Sequence, residues 1–166
     1  MPMSTNRTKW PVKGGAIAFQ PGWFQGHRSA FMYFNLGLGN MPPNFTWIMT
    51  NGINLQGPTG APYPGTFCLP QVPLPANLKV NVGDNATIQI IETALHGAAL
   101  YNCVDITFAE PEDVAEVNET NCFNSSQIKS NLVFTTESLQ TSGASASLET
   151  SLLSLLTATL VAYLAI

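Results

Sequence analysis

Charge is what this sequence has least of. Charged residues make up 10% of its 166 positions, against about 25% in an average soluble domain. Six Lys and Arg face ten Asp and Glu, and a formal net charge of −4 offers no basic stripe for nucleic acid. Histidine is nearly absent too, with only His27 and His96. No Gly-x-Ser-x-Gly elbow, Walker loop, dinucleotide fingerprint or His-Glu-x-x-His occurs, so the local signatures of several large enzyme classes are missing. Helical periodicity is lacking before Glu137. No internal repeat is visible.

What remains reads as strands and turns. Twelve Pro and 13 Gly punctuate short apolar runs. From Ala30 to Leu38, Met32, Phe34, Leu36 and Leu38 alternate onto one face, as in a half-buried strand. Leu78 to Val82 and Ala86 to Glu92 read as two strands about a tight turn at Gly83-Asp84-Asn85. Leu100 to Phe108 turns Val104, Ile106 and Phe108 inward, leaving Tyr101, Cys103, Asp105 and Thr107 on the opposite face. Phe67 to Leu69 and Asn131 to Thr135 add shorter strands, and a long Pro/Gly-rich connection fills Asn40 to Thr66. The expectation is an all-β, antiparallel β-sandwich of immunoglobulin/fibronectin-like type over residues 1–136, with a C-terminal apolar tail helix.

The two ends carry the address. Residues 151–166 (SLLSLLTATLVAYLAI) are apolar, unflanked by Lys or Arg, and shorter than the roughly 20 residues that span a bilayer. They follow a Ser/Thr-rich stretch, 137–150, containing small residues at Ser142-Gly143-Ala144. Small residues, a polar spacer and a greasy terminus form the pattern of a GPI-attachment signal, with Ser142 as the expected anchor residue. A tail-anchored or buried terminal helix is the alternative. The GPI reading puts the protein at the cell surface, tethered to the outer leaflet of the plasma membrane. Met1 to Lys13 has no apolar core and is no signal peptide. Together with an odd cysteine count, this leads to the expectation that a further N-terminal segment supplies both a signal and a fourth cysteine.

Five Asn-x-Ser/Thr sequons, at Asn6, Asn44, Asn85, Asn118 and Asn124, favour a glycosylated exterior that offsets the shortage of charge. Of the cysteines, Cys103 shares a strand face with Asp105 and suits an upstream partner, in which case Cys68 and Cys122 pair with each other. Four cysteines allow three connectivities, and spacing alone leaves all three open. The acidic run AEPEDVAE, with Glu110, Glu112, Asp113 and Glu116, reads as a solvated loop. His27 ends a Gly-rich turn that feeds a strong strand, His96 occupies a second turn, and Asp105 is a lone carboxylate on a strand. By themselves these residues suggest no more than a His/Asp metal site.

Several motifs in order carry a resemblance. They are NRTKWPVKGG from Asn6 to Gly15, GWFQGH ending at His27, and PGTFCL from Pro64 to Leu69. VGDNATIQI from Val82 to Ile90, ALYNCVDI from Ala99 to Ile106 and NCFN from Asn121 to Asn124 follow. Together they resemble the fungal Bim-type copper acquisition factors, which are related in fold to lytic polysaccharide monooxygenases. The resemblance implies a β-sandwich with a surface Cu2+ site built from an N-terminal histidine, a second histidine matching His27, and an aspartate matching Asp105. The first of these has no counterpart here, so the site is expected to be incomplete; His96 is the substitute ligand or supporting group. An anionic oxygen donor beside imidazole favours Cu(II) over Cu(I). The implied function is a GPI-anchored copper(II)-binding protein for copper uptake or homeostasis, with a copper transporter or cell-wall glycan as possible partner. The alternative is a copper-dependent, monooxygenase-like enzyme on wall glycans, using Trp10, Trp23 and Trp47 as a substrate face. A third is a copper-free wall or adhesion protein.

Overall fold

A computed structural model describes residues 5–21, 29–57 and 65–133. The chain divides into two units, Met1–Phe134 and Thr135–Ile166, and all described residues belong to the first. The expected terminal helix, the stalk and Ser142 therefore lie outside the described residues, as does His27.

The described chain is all-β apart from one 3₁₀ turn. Its strands are β1 (Thr8–Pro11), β2 (Gly15–Phe19), β3 (Ser29–Leu38), β4 (Trp47–Ile48), β5 (Ile53–Gln56), β6 (Phe67–Val72), β7 (Asn85–Ala94), β8 (Ala99–Ala109) and β9 (Lys129–Leu132). Seven-stranded pairing runs β1-β8-β7-β3-β5-β9, with β4 continuing the β5 edge of β3. The pair β2-β6 forms a second, smaller sheet. All pairings are antiparallel except β1 with β8.

Alternation in β3 sets the inside. Met32, Phe34 and Leu36 are fully buried, and their cross-strand neighbours on β7 are Glu92, Ile90 and Ile88. The small sheet closes over this face. Phe19 stands 5.7 Å from both Phe34 and Phe67, and Trp10 meets Phe108 edge-on at 6.1 Å. Each such side chain taken out of water contributes about 1.5–3 kcal/mol. The result is the expected sandwich.

Several details differ from the expectation. Leu78 to Val82 forms no strand: Pro73 and Pro75 end the β6 ladder, and Leu78 and Val80 instead pack half-buried against the core. The tight turn after it is real, since Asp84 N donates to Asn81 O at 3.1 Å and Asn81 N to Asp84 Oδ2 at 2.8 Å. Val104 lies in phase with Ile106 yet is 38% exposed, lining an open groove with Ala16, Ala18 and Phe19 of β2. Trp10 is buried and Trp47 half-buried against the core, so neither supplies an exposed substrate face.

Arg7 ties the start of β1 to the main sheet. Its guanidinium donates to Ala86 O at 3.0 Å, Ile106 O at 3.2 Å and Asn40 O at 3.1 Å. Far along the chain, Cys68 and Cys122 form a disulfide with Cα atoms 5.3 Å apart, fixing the 118–124 loop to β6. Asn124 reinforces this by accepting from the Cys68 backbone N–H at 2.6 Å.

Candidate functional site

Three residues carry the metal expectation, and the strands place two of them, Asp105 and His96. Asp105 sits on β8 opposite Thr87, which in turn lies opposite Gly37 on β3. All three positions face away from the small sheet, because they alternate with buried Ile106, Ile88 and Leu36. The Thr87 hydroxyl donates to Asp105 Oδ1 at 2.6 Å. Two residues along the same face, Cys103 is half-buried and outside any disulfide, with Gln89 Nε2 4.0 Å from its Sγ.

His96 occupies the exposed turn between β7 and β8, closed by Gly97 N to Ala94 O and Ala94 N to Ala98 O, both 2.9 Å. From Ala99, the first residue of β8, six further residues lead to Asp105, a rise of about 20 Å. His96 and Asp105, nine positions apart in sequence, therefore stand toward opposite ends of the strand.

The start of β3 shares the His96 end. Ala30 pairs with Ala94, and Ser29 precedes it. From Ser29 to Gly37, the residue level with Asp105, is eight residues, or about 26 Å. The His96 turn and the first residues of β3 thus share one end of the main sheet, and Asp105 stands away from it; His27 lies outside the described residues.

Sequence reasoning missed a carboxylate at that same end. Glu92 lies between Met32 and Leu100 on the inward face of β7 and is only 6% exposed. Its signal was present: it falls in phase with Ile88 and Ile90, an acid on the apolar side of an amphipathic strand. The acidic run 110–116, by contrast, is an exposed 3₁₀ turn and loop. Among the described residues, no three His, Cys, Asp or Glu gather closely enough to hold a metal ion.

The sequons differ in availability. Asn6, Asn44, Asn118 and Asn124 are exposed, whereas Asn85 is half-buried in β7. Both ends of the Asn85 amide are engaged, Oδ1 by Thr107 Oγ1 at 2.6 Å and Nδ2 to Asn40 Oδ1 at 2.7 Å.

Comparison with known proteins agrees with the architecture. A family profile described as copper acquisition factor BIM1-like matches residues 1–127. A lytic polysaccharide monooxygenase-like protein of Emericella nidulans is 66% identical over 88% of this chain and 60% of its own length. Lytic polysaccharide monooxygenase-like protein X325 of Aspergillus fumigatus is 63% identical over 99% of the chain and 67% of its own. Lytic polysaccharide monooxygenase-like protein ham-7 of Neurospora crassa is 58% identical over 76% of the chain and 58% of its own. The chain thus spans about 60% of the length of the first of these relatives. No solved structure matches. With the profile covering most of the chain and the sandwich in place, the protein belongs to the BIM1-like copper acquisition factor family.

Proposed function

We propose that this chain is the body of a cell-surface protein that captures copper(II) as cargo, for uptake or homeostasis. The family match over residues 1–127 carries the reading. The donors we assign to it are His96, in the turn beside the start of β3, and His27, which precedes β3 in the sequence. Two imidazoles with a carboxylate or backbone donor suit the tetragonal preference of Cu(II). Asp105 is then a structural group, held by Thr87 at the other end.

The setting we propose is the outer leaflet, reached by cleavage of the apolar tail and lipid attachment at Ser142, with glycans on the exposed sequons. Among the described residues, no helix is long and apolar enough to cross a membrane.

The test is titration of the purified chain with Cu(II), monitored by calorimetry, followed by incubation with a reductant and cell-wall glycan. Stoichiometric binding without release of oxidised sugars supports cargo capture. Oxidised sugars would move the assignment to the monooxygenase-like enzyme that the relatives' names bring to mind, and absence of binding would remove copper from the account.

A further inference from the structure

Beside the sequon at Asn44, the outward face of the main sheet holds a groove lined by Tyr33, Asn35, Phe45, Ile48, Thr50 and Asn51. It runs along the outward face as far as Phe31 and Thr93, and nothing in the copper reading uses it. Three observations connect it to Asn44. First, the loop carrying Asn44 lies directly on this face. A Cβ at position 37 would come within 2.8 Å of Asn44 O and 2.5 Å of Pro42 Cβ, so only glycine admits the crossing. The next outward residues along β3 from Gly37 are Asn35 and Tyr33, both in the groove. Second, the two residues after Asn44 are Phe45 and Thr46, and the Thr46 hydroxyl donates to Asn44 Oδ1 at 2.9 Å, leaving the exposed amide nitrogen turned to other partners. Third, the groove contains an unmet polar group. Thr50 Oγ1 is buried and has no hydrogen-bond partner, the one such side-chain atom among the described residues. Buried hydroxyls left unpaired are uncommon and ask for a ligand.

We infer that the groove is the seat of the protein's own Asn44-linked oligosaccharide, specifically its first β-linked N-acetylhexosamine units. Pyranose rings present apolar C–H faces edged by hydroxyl and acetamide groups. Tyr33, Phe45 and the 67% exposed Ile48 offer the apolar surface, and Thr50, Asn35 and Asn51 offer donors and acceptors around it. The sugar would cover Ile48 and satisfy Thr50 Oγ1. Asn118 also accepts from its sequon threonine, through Thr120 Oγ1 and through Thr120 N at 2.9 Å, but sits in an exposed loop outside this groove. This inference rests on the glycosylated exterior proposed above.

The test uses the full chain, sent through the secretory pathway of a glycosylating fungal host behind a supplied signal peptide. Peptide N-glycosidase acts on the folded protein, and mass spectrometry reads release at each sequon. Release at Asn44 should be about tenfold slower than at Asn118, the protection a stacked and hydrogen-bonded sugar provides. Ile48→Ser and Thr50→Val, neither of which removes a core contact, should each speed release at Asn44 and leave Asn118 unchanged. Equal rates at the two sites, or protection of Asn44 that survives both substitutions, would overturn the inference while leaving glycosylation itself intact. An Asn44 bare of sugar would also overturn it, and all five sequons bare would overturn the glycosylated exterior as well.

Discussion

Thr87 and Asp105 face each other across β7 and β8, and the threonine hydroxyl donates to the carboxylate at 2.6 Å. Thr87 is only 5% exposed, so this is a half-sheltered, charge-assisted bond on the outward face. Thr87→Val should therefore cost about 1.5–3 kcal/mol, the range for hydrogen bonds to charged groups. Chemical denaturation of the variant measures it. A loss near zero would mean that Asp105 is held by something else and would reopen its role as a ligand.

The Cys68–Cys122 disulfide closes a segment with a sequence separation of 54. Reduction, or the double change Cys68→Ser with Cys122→Ser, should lower stability by about 2–4 kcal/mol. Cys103→Ser should shift it by no more than about 0.5 kcal/mol, as for sites away from core packing and networks. Thermal unfolding of the three proteins side by side checks both statements.

Asn85 is spoken for by the sheet. Thr107 and Asn40 occupy its two amide atoms, and a sugar on Nδ2 would break the link to Asn40. Asn85→Asp should therefore lose about 1 kcal/mol, the net worth of a typical hydrogen bond, and site-resolved mass spectrometry should find Asn85 bare where Asn44 is occupied. A fully occupied Asn85 would show that the β7 edge tolerates opening.

Much of the fold was legible because it rests on local alternation. The β3 run announces itself through Met32, Phe34 and Leu36, and β8 through Ile106 and Phe108. β1 and β2 were not legible. They are 4 and 5 residues long, and β1 gains its strand character only by lying parallel to β8, with Thr8 beside Ile106. No local pattern reports a partner that distant in the chain. β4 and β5 escaped for a similar reason, being 2 and 4 residues inside a stretch of turns. Leu78 to Val82 erred the other way, since its alternation is genuine but follows Pro73 and Pro75 and packs half-buried against the core without pairing. The candidate site shows the sharpest contrast. His96 and Asp105 are close in sequence, but an extended strand turns nearness along the chain into distance in space. Antiparallel pairing does the reverse for Ala30 and Ala94, and so brings the His96 turn beside the start of β3.

Electron paramagnetic resonance of the protein loaded with one equivalent of Cu(II) tests the account most directly. Nitrogen coupling from imidazole should be present in the parent, weaken in both His27→Ala and His96→Ala, and persist unchanged in Asp105→Asn. A spectrum that changes in Asp105→Asn but not in His96→Ala would contradict the placement of copper at the His96 end of the sheet.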